Sequence, residues 1–82
     1  MHTDANAIAG VLEEVFAAEV TVGRRRCQSC GSEHPIGEHP LYTGAGYVLR
    51  CPSCSDVAAT IVAATDRYVV NLRGNWSVAR AA

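Results

Sequence analysis

Four cysteines stand in two C-x-x-C pairs, Cys27-Gln28-Ser29-Cys30 and Cys51-Pro52-Ser53-Cys54. Twenty residues separate the pairs, within the spacing of about 15–20 that marks a zinc site. The chemistry behind the motif is local. Two intervening residues let the backbone fold into a tight turn, so that both sulfurs point at one centre and turn N–H groups donate to the thiolates. Gly31 follows the first pair and tolerates φ > 0 without a Cβ clash. Pro52 presets φ at the start of the second turn. Two such knuckles facing each other place four sulfurs around one Zn²⁺, the closed tetrahedral set of a structural site. Cys27, Cys30, Cys51 and Cys54 are therefore the expected ligands, with no position left open where water could be activated. A disulfide framework and a redox-active C-x-x-C pair also use an even cysteine count, and iron takes the same four thiolates; spacing and a reducing compartment favour zinc.

Two further groups carry chemistry. His34 and His39 lie in the stretch Ser32 to Gly46 with Glu33 and Glu38. With four cysteines already in place, a histidine is a fifth candidate for four positions, and both are expected to be exposed loop or strand residues. Arg24-Arg25-Arg26 is the densest run of charge. Arginine reaches phosphate well, and the triplet is also a candidate surface for a partner. The plainer reading is that these guanidinium groups are solvated or offset the formal −2 charge of a four-thiolate zinc centre. The acidic side chains Asp4, Glu13, Glu14 and Glu19 are a second set of expected counter-charges.

Hydrophobic periodicity supplies the elements that position these residues. Ile8, Val11, Leu12, Val15 and Phe16 follow the i, i+3, i+4, i+7 rule, which predicts an amphipathic helix over about 4–19 packed on a sheet. Thr3 or Asp4 is its N-cap, and Gly10 weakens it by about 1 kcal/mol relative to Ala. Val20 and Val22 flank Thr21 as in a short strand leading to the first knuckle. Gly44-Ala45-Gly46 is a turn, and Tyr47–Arg50 a strand entering the second knuckle. Val57 to Ala64 and Tyr68 to Arg73 read as a β-hairpin around Asp66-Arg67. Trp76 is expected to cover one edge of the core, and residues 77–82 to form a frayed tail.

At 82 residues the chain is read as a single domain over 1–82, with the ribbon at about 20–76. A core of this size contributes only about 3–5 kcal/mol, so a staple is expected. Structural zinc is worth about 10–16 kcal/mol in small peptides, which would make metal binding and folding one event. Hydrophobic residues are 49% of the chain, the net charge is −1, and every basic residue other than histidine is Arg. That balance disfavours a general nucleic-acid binder. No apolar run approaches the ~20 residues that span a membrane, and the N-terminus has no basic n-region or apolar h-region. A cytoplasmic location is expected, where thiols stay reduced.

The two knuckles and their flanking strands, from Thr21 to Arg73, resemble a zinc ribbon. The order of the parts is an L-E-E-V-F helix, then R-C-x-x-C-G, then L-R-C-P-x-C. It is also similar to a group of short bacterial zinc-ribbon proteins of unknown function. The resemblance implies a small α+β fold: an antiparallel sheet of three or more strands, metal at one end, one N-terminal helix packed on it. It implies structural zinc and a binding role, and carries no activity. Rubredoxin has comparable knuckles, but Ser55 stands where its second knuckle has glycine, and this chain is poor in aromatics. The reading is a non-enzymatic zinc module that meets a protein partner. The alternatives are a redox-responsive zinc or rubredoxin-like iron protein, and a nucleic-acid-binding ribbon using Arg24, Arg25 and Arg26.

Overall fold

The structure, a computed structural model, describes residues 3–16 and 20–79. The chain opens with a two-residue strand β1 (Thr3–Asp4), a 3₁₀ turn (Ala5–Ile8) and helix α1 (Ala9–Phe16). The strands that follow are β2 (Arg24–Arg26), β3 (Glu33–Pro35), β4 (Pro40–Thr43), β5 (Tyr47–Arg50), β6 (Val57–Ala63), β7 (Tyr68–Leu72) and β8 (Asn75–Ser77), with a second 3₁₀ turn at Ile36–Glu38. They form two antiparallel sheets. One has the order β1-β4-β5-β6-β7, the other β3-β2-β8. This is the expected small α+β architecture, with the ribbon strands divided between two sheets.

The helix opens on a 3₁₀ turn capped by Asp4. Asp4, extended at φ −119°, accepts the N–H of Asn6 at 3.1 Å on its side-chain oxygen. That bond satisfies one of the N–H groups left free at the start of a helix. Ile8 and Leu12 are buried, with Val11, Val15 and Phe16 packed beside them. The expected helix end at 17–19, Glu19 included, lies outside the described residues.

The apolar stripe meets the core-facing side of the larger sheet. Strand alternation puts Leu41, Leu49, Ala59 and Ile61 on that side. Together with Ala5, Ile8, Leu12, Val20 and Ala58 they make one contiguous core. The hairpins β4–β5, β5–β6 and β6–β7 are local, so each register is set by a short turn; Gly44 N–H to Gly46 C=O at 3.0 Å closes the first.

Two expectations are corrected. Residues 20–23 form a turn closed by Gly23 N–H to Val20 C=O at 2.9 Å, so Val20 enters the core alone while Val22 is exposed. Ser77 belongs to β8 and pairs with Arg24, so no fraying begins there; 80–82 lie outside the described residues. Trp76 covers one edge of the core as expected: half-buried, it stacks on Phe16 with ring centroids 6.2 Å apart and donates Nε1–H to Arg73 C=O at 2.8 Å. It ties the small sheet to the helix. Among the described residues, no helix is long and apolar enough to cross a membrane.

Candidate metal centre

Each knuckle is the tip of a hairpin. Cys27–Cys30 caps β2–β3, and Cys51–Cys54 caps β5–β6. The pairs therefore come from different sheets, and the site lies where the sheets meet.

The two tips are built alike. Each first cysteine donates its N–H back across the turn, Cys27 to Ser32 C=O at 2.9 Å and Cys51 to Asp56 C=O at 2.8 Å. Each then accepts from four residues on, from Gly31 N–H at 3.1 Å and Ser55 N–H at 3.0 Å. In each, the serine before the second cysteine aims its backbone N–H at the first sulfur, Ser29 to Cys27 and Ser53 to Cys51, both at 3.4 Å. An arginine precedes each tip and donates to the carbonyl that follows it, Arg26 to Gly31 at 3.0 Å and Arg50 to Ser55 at 2.9 Å. The local repeat R-C-x-S-C is thus a repeat of hydrogen bonds as well as of letters. Gly31 and Ser55 occupy equivalent left-handed positions, φ 75° and 66°. Ser55 bears there a strain that glycine escapes.

The four Sγ atoms lie within 4.8 Å of one another. Cys27 and Cys54 are 3.6 Å apart, Cys30 and Cys51 3.7 Å. These separations are too long for disulfides, and all four thiols are free. They match the edge of about 3.8 Å of a tetrahedron with metal–sulfur bonds of ~2.3 Å. Cys27 and Cys51 are buried, Cys30 and Cys54 exposed, so the cluster has a covered floor and an accessible rim.

Four thiols this close cannot all ionise without a cation. A backbone hydrogen bond from Cys30 is the largest influence on Cys27 and, with a second from Ser29, outweighs desolvation to draw it down to about 6. At Cys51 desolvation is the largest influence, yet the backbone bonds from Cys54 and Ser53 lower it on balance. Cys54 receives a backbone hydrogen bond from Asp56 that favours its thiolate. Desolvation and the sulfurs of Cys27, Cys30 and Cys51 prevail and push it up to about 12. A bound cation displaces the protons outright.

Polar groups lock the tips together. Asp56, beside the second knuckle, accepts from Ser29 Oγ and from Gln28 Nε2 at 2.8 Å on the first. In the other direction, His34 Nε2 meets Ser53 Oγ at 2.8 Å. Ser32 Oγ lies 2.9 Å from Cys30 Sγ. These partners were missed in the sequence. The serine shared by the two repeats was the available signal.

His39 overturns the expectation of an exposed loop or strand residue, and Arg25 the solvated reading of the arginine triplet. β2 alternates exposed–buried–exposed, and Arg25 is 1% exposed. Its guanidinium donates Nε–H to Arg73 C=O at 2.9 Å and Nη2–H to Gln28 Oε1 at 2.5 Å, and Nη1 lies 3.3 Å from His39 Nε2. His39 is 0% exposed. Its Nδ1 is 3.0 Å from Pro35 C=O, an oxygen that only accepts, while a guanidinium only donates. Both contacts are satisfied by the neutral Nδ1–H tautomer alone. Burial, with Arg25 and His34 nearby, holds the His39 pKa below the usual imidazole value, against the opposing bond to Pro35. Gly74, at φ 85°, lets the backbone cross the guanidinium: a Cβ there would sit 3.1 Å from Arg25 Nε and 2.5 Å from Arg26 C=O. Neither histidine joins the cysteine cluster.

The outer arginines are engaged as well. Arg24 and Arg26 both pair with Glu33, at 2.7 and 3.3 Å. Among the described residues, their counter-charge comes from the neighbouring strand. The chain matches, over residues 1–82, the family described as "Family of unknown function (DUF6510)". No curated protein and no solved structure gives a significant match.

Proposed function

The chain belongs to this family, and we propose that it is a structural-zinc module: Cys27, Cys30, Cys51 and Cys54 hold one Zn²⁺ that joins the two sheets. The observation that carries this reading is the meeting of four free thiols, two from each hairpin tip, all within 4.8 Å of one another and with two separations, 3.6 and 3.7 Å, at the edge length of a ZnS₄ tetrahedron. With every coordination position taken by sulfur, the ion has no place for a substrate or an activated water. The role is therefore architectural and the chain is not an enzyme. Zinc fixes how the small sheet sits against the large one, and the surface so held meets a protein partner in the cytoplasm. Nucleic acid fits less well: Arg25 is buried, and Arg24 and Arg26 share Glu33.

The test is elemental analysis of purified protein and of Cys27→Ser. One zinc per chain, lost in the variant together with cooperative unfolding, is the expected result. Stoichiometric iron, with its colour, would replace zinc by a rubredoxin-like reading.

A second reading rests on the exposed rim. Cys30 and Cys54 reach solvent, so an oxidant such as peroxide could attack them, release the ion and loosen the join between sheets. Zinc release by mild peroxide, followed with a metal-sensitive dye, supports this; metal retained under that treatment removes it.

A further inference from the structure

The sheets have four outer strands, and three are poor templates for pairing. β1 has two residues and β8 three, while β3 carries Glu33 and Pro35. Short length, charge and proline are the usual devices that blunt a sheet edge. β7, Tyr68-Val69-Val70-Asn71-Leu72, has none of them: five residues, no charge, no proline, and an unbroken register with β6.

The direction of its backbone groups follows from two bonds beyond the strand ends. Arg73 N–H donates to Ala58 C=O at 2.9 Å, and Ala64 N–H to Arg67 C=O at 2.7 Å. In the same register Thr60–Asn71 and Val62–Val69 are the hydrogen-bonded pairs. The N–H and C=O groups of Tyr68, Val70 and Leu72 therefore point away from β6, and among the described residues no strand receives them. The side chains of these same three residues lie on the core-facing side of the sheet. Leu72 is 39% exposed there, because its cross-strand neighbour is the small Ala59.

We infer that β7 pairs antiparallel with β7 of a second copy of this chain, about a two-fold axis at Val70. The strand is self-complementary in that register. Val70 faces Val70, and Tyr68 faces Leu72, in hydrogen-bonded pairs that use every outward backbone group. The exposed Leu72 is then covered by the Tyr68 ring of the other copy. The flanks do not oppose it: Arg67 and Arg73, which come opposite each other, are each paired within their own chain, to Asp66 and Asp56. Two five-stranded sheets become one continuous sheet, and none of the four cysteines lies on β7. The inference is independent of which metal the cysteines hold.

Sedimentation velocity of the metal-loaded chain over a wide concentration range tests it, with two variants. Val70→Pro removes an outward N–H and leaves the hydrogen bonds to β6 in place. Leu72→Lys sets a charge against the tyrosine of the other copy. The expected result is a concentration-dependent dimer whose dissociation constant rises by about tenfold or more in each variant, with far-UV circular dichroism unchanged. Leu72→Lys, which touches no backbone group, decides the matter if Val70→Pro disturbs folding. A chain that stays monomeric at the highest concentration, or a dimer indifferent to Leu72→Lys, overturns the inference; the edge would then serve a different strand, or none.

Discussion

Gly31 and Ser55 hold the same place in the two knuckles, and exchanging their side chains should move stability in opposite directions. Both residues have positive φ, 75° and 66°. A left-handed backbone costs an L-residue with a Cβ about 1–2 kcal/mol. Ser55 uses only backbone groups in its contacts, N–H to Cys51 C=O and C=O to Arg50, so Ser55→Gly removes the strain and loses no side-chain bond. The glycine adds freedom to the unfolded chain, which offsets about 0.4–1 kcal/mol. The net expectation is stabilisation by roughly 0.5–1 kcal/mol. In Gly31→Ala the new Cβ meets nothing within 4 Å, so the cost is the backbone term alone, again about 1 kcal/mol. Urea denaturation at saturating zinc reads both directly. If folding and metal binding are one event, a competition titration reports the same quantity as zinc affinity about 2–5-fold tighter for Ser55→Gly. A loss of stability in Ser55→Gly would refute the equivalence of the two tips and the strain assigned to the second.

Three further outcomes follow from the residues around the centre. Gly74→Ala should destabilise by about 3–4 kcal/mol in urea, the sum of left-handed strain and a broken Arg25 bond to Arg73; a change under 1 kcal/mol would mean the guanidinium does not need that backbone path. His39 is neutral when folded and has its pKa lowered, so below about pH 6.5 the unfolded chain binds the proton first. Its contribution is complete above that pH and is lost as pH falls toward the folded pKa. The urea midpoint of the parent should therefore drop on acidification relative to that of His39→Gln, and parallel profiles would contradict the buried neutral assignment. Asp56→Asn weakens the acceptor of Ser29 and Gln28 and should lower zinc affinity about tenfold, measured by competition with a chelating dye; unchanged affinity would mean the tips need no such latch.

Much of this arrangement was legible in the residues. The cysteine spacing marked both tips, the apolar stripe from Ile8 to Phe16 marked the helix, and the Tyr47–Arg50 strand and the hairpin around Asp66-Arg67 marked three strands of the large sheet, while β1 and β4 went unmarked. What escaped notice depends on contacts distant in sequence. β8 forms because Asn75–Ser77 finds β2, and nothing local to Trp76 announces that pairing. In the letters Arg25 is one of three like charges, but strand alternation turns it opposite to Arg24 and Arg26. Its burial depends on acceptors from residues 28, 39 and 73, which only the fold assembles. His39 escaped for the same reason, since prolines on either side of its 3₁₀ turn suggested a loop at the surface.

The most direct measurement pairs metal content with folding. Mass spectrometry of the native protein, followed by a thermal melt before and after exhaustive chelation, should find one zinc per chain and a cooperative transition that disappears with the ion. A chain isolated without metal that still melts cooperatively would contradict the account at its root.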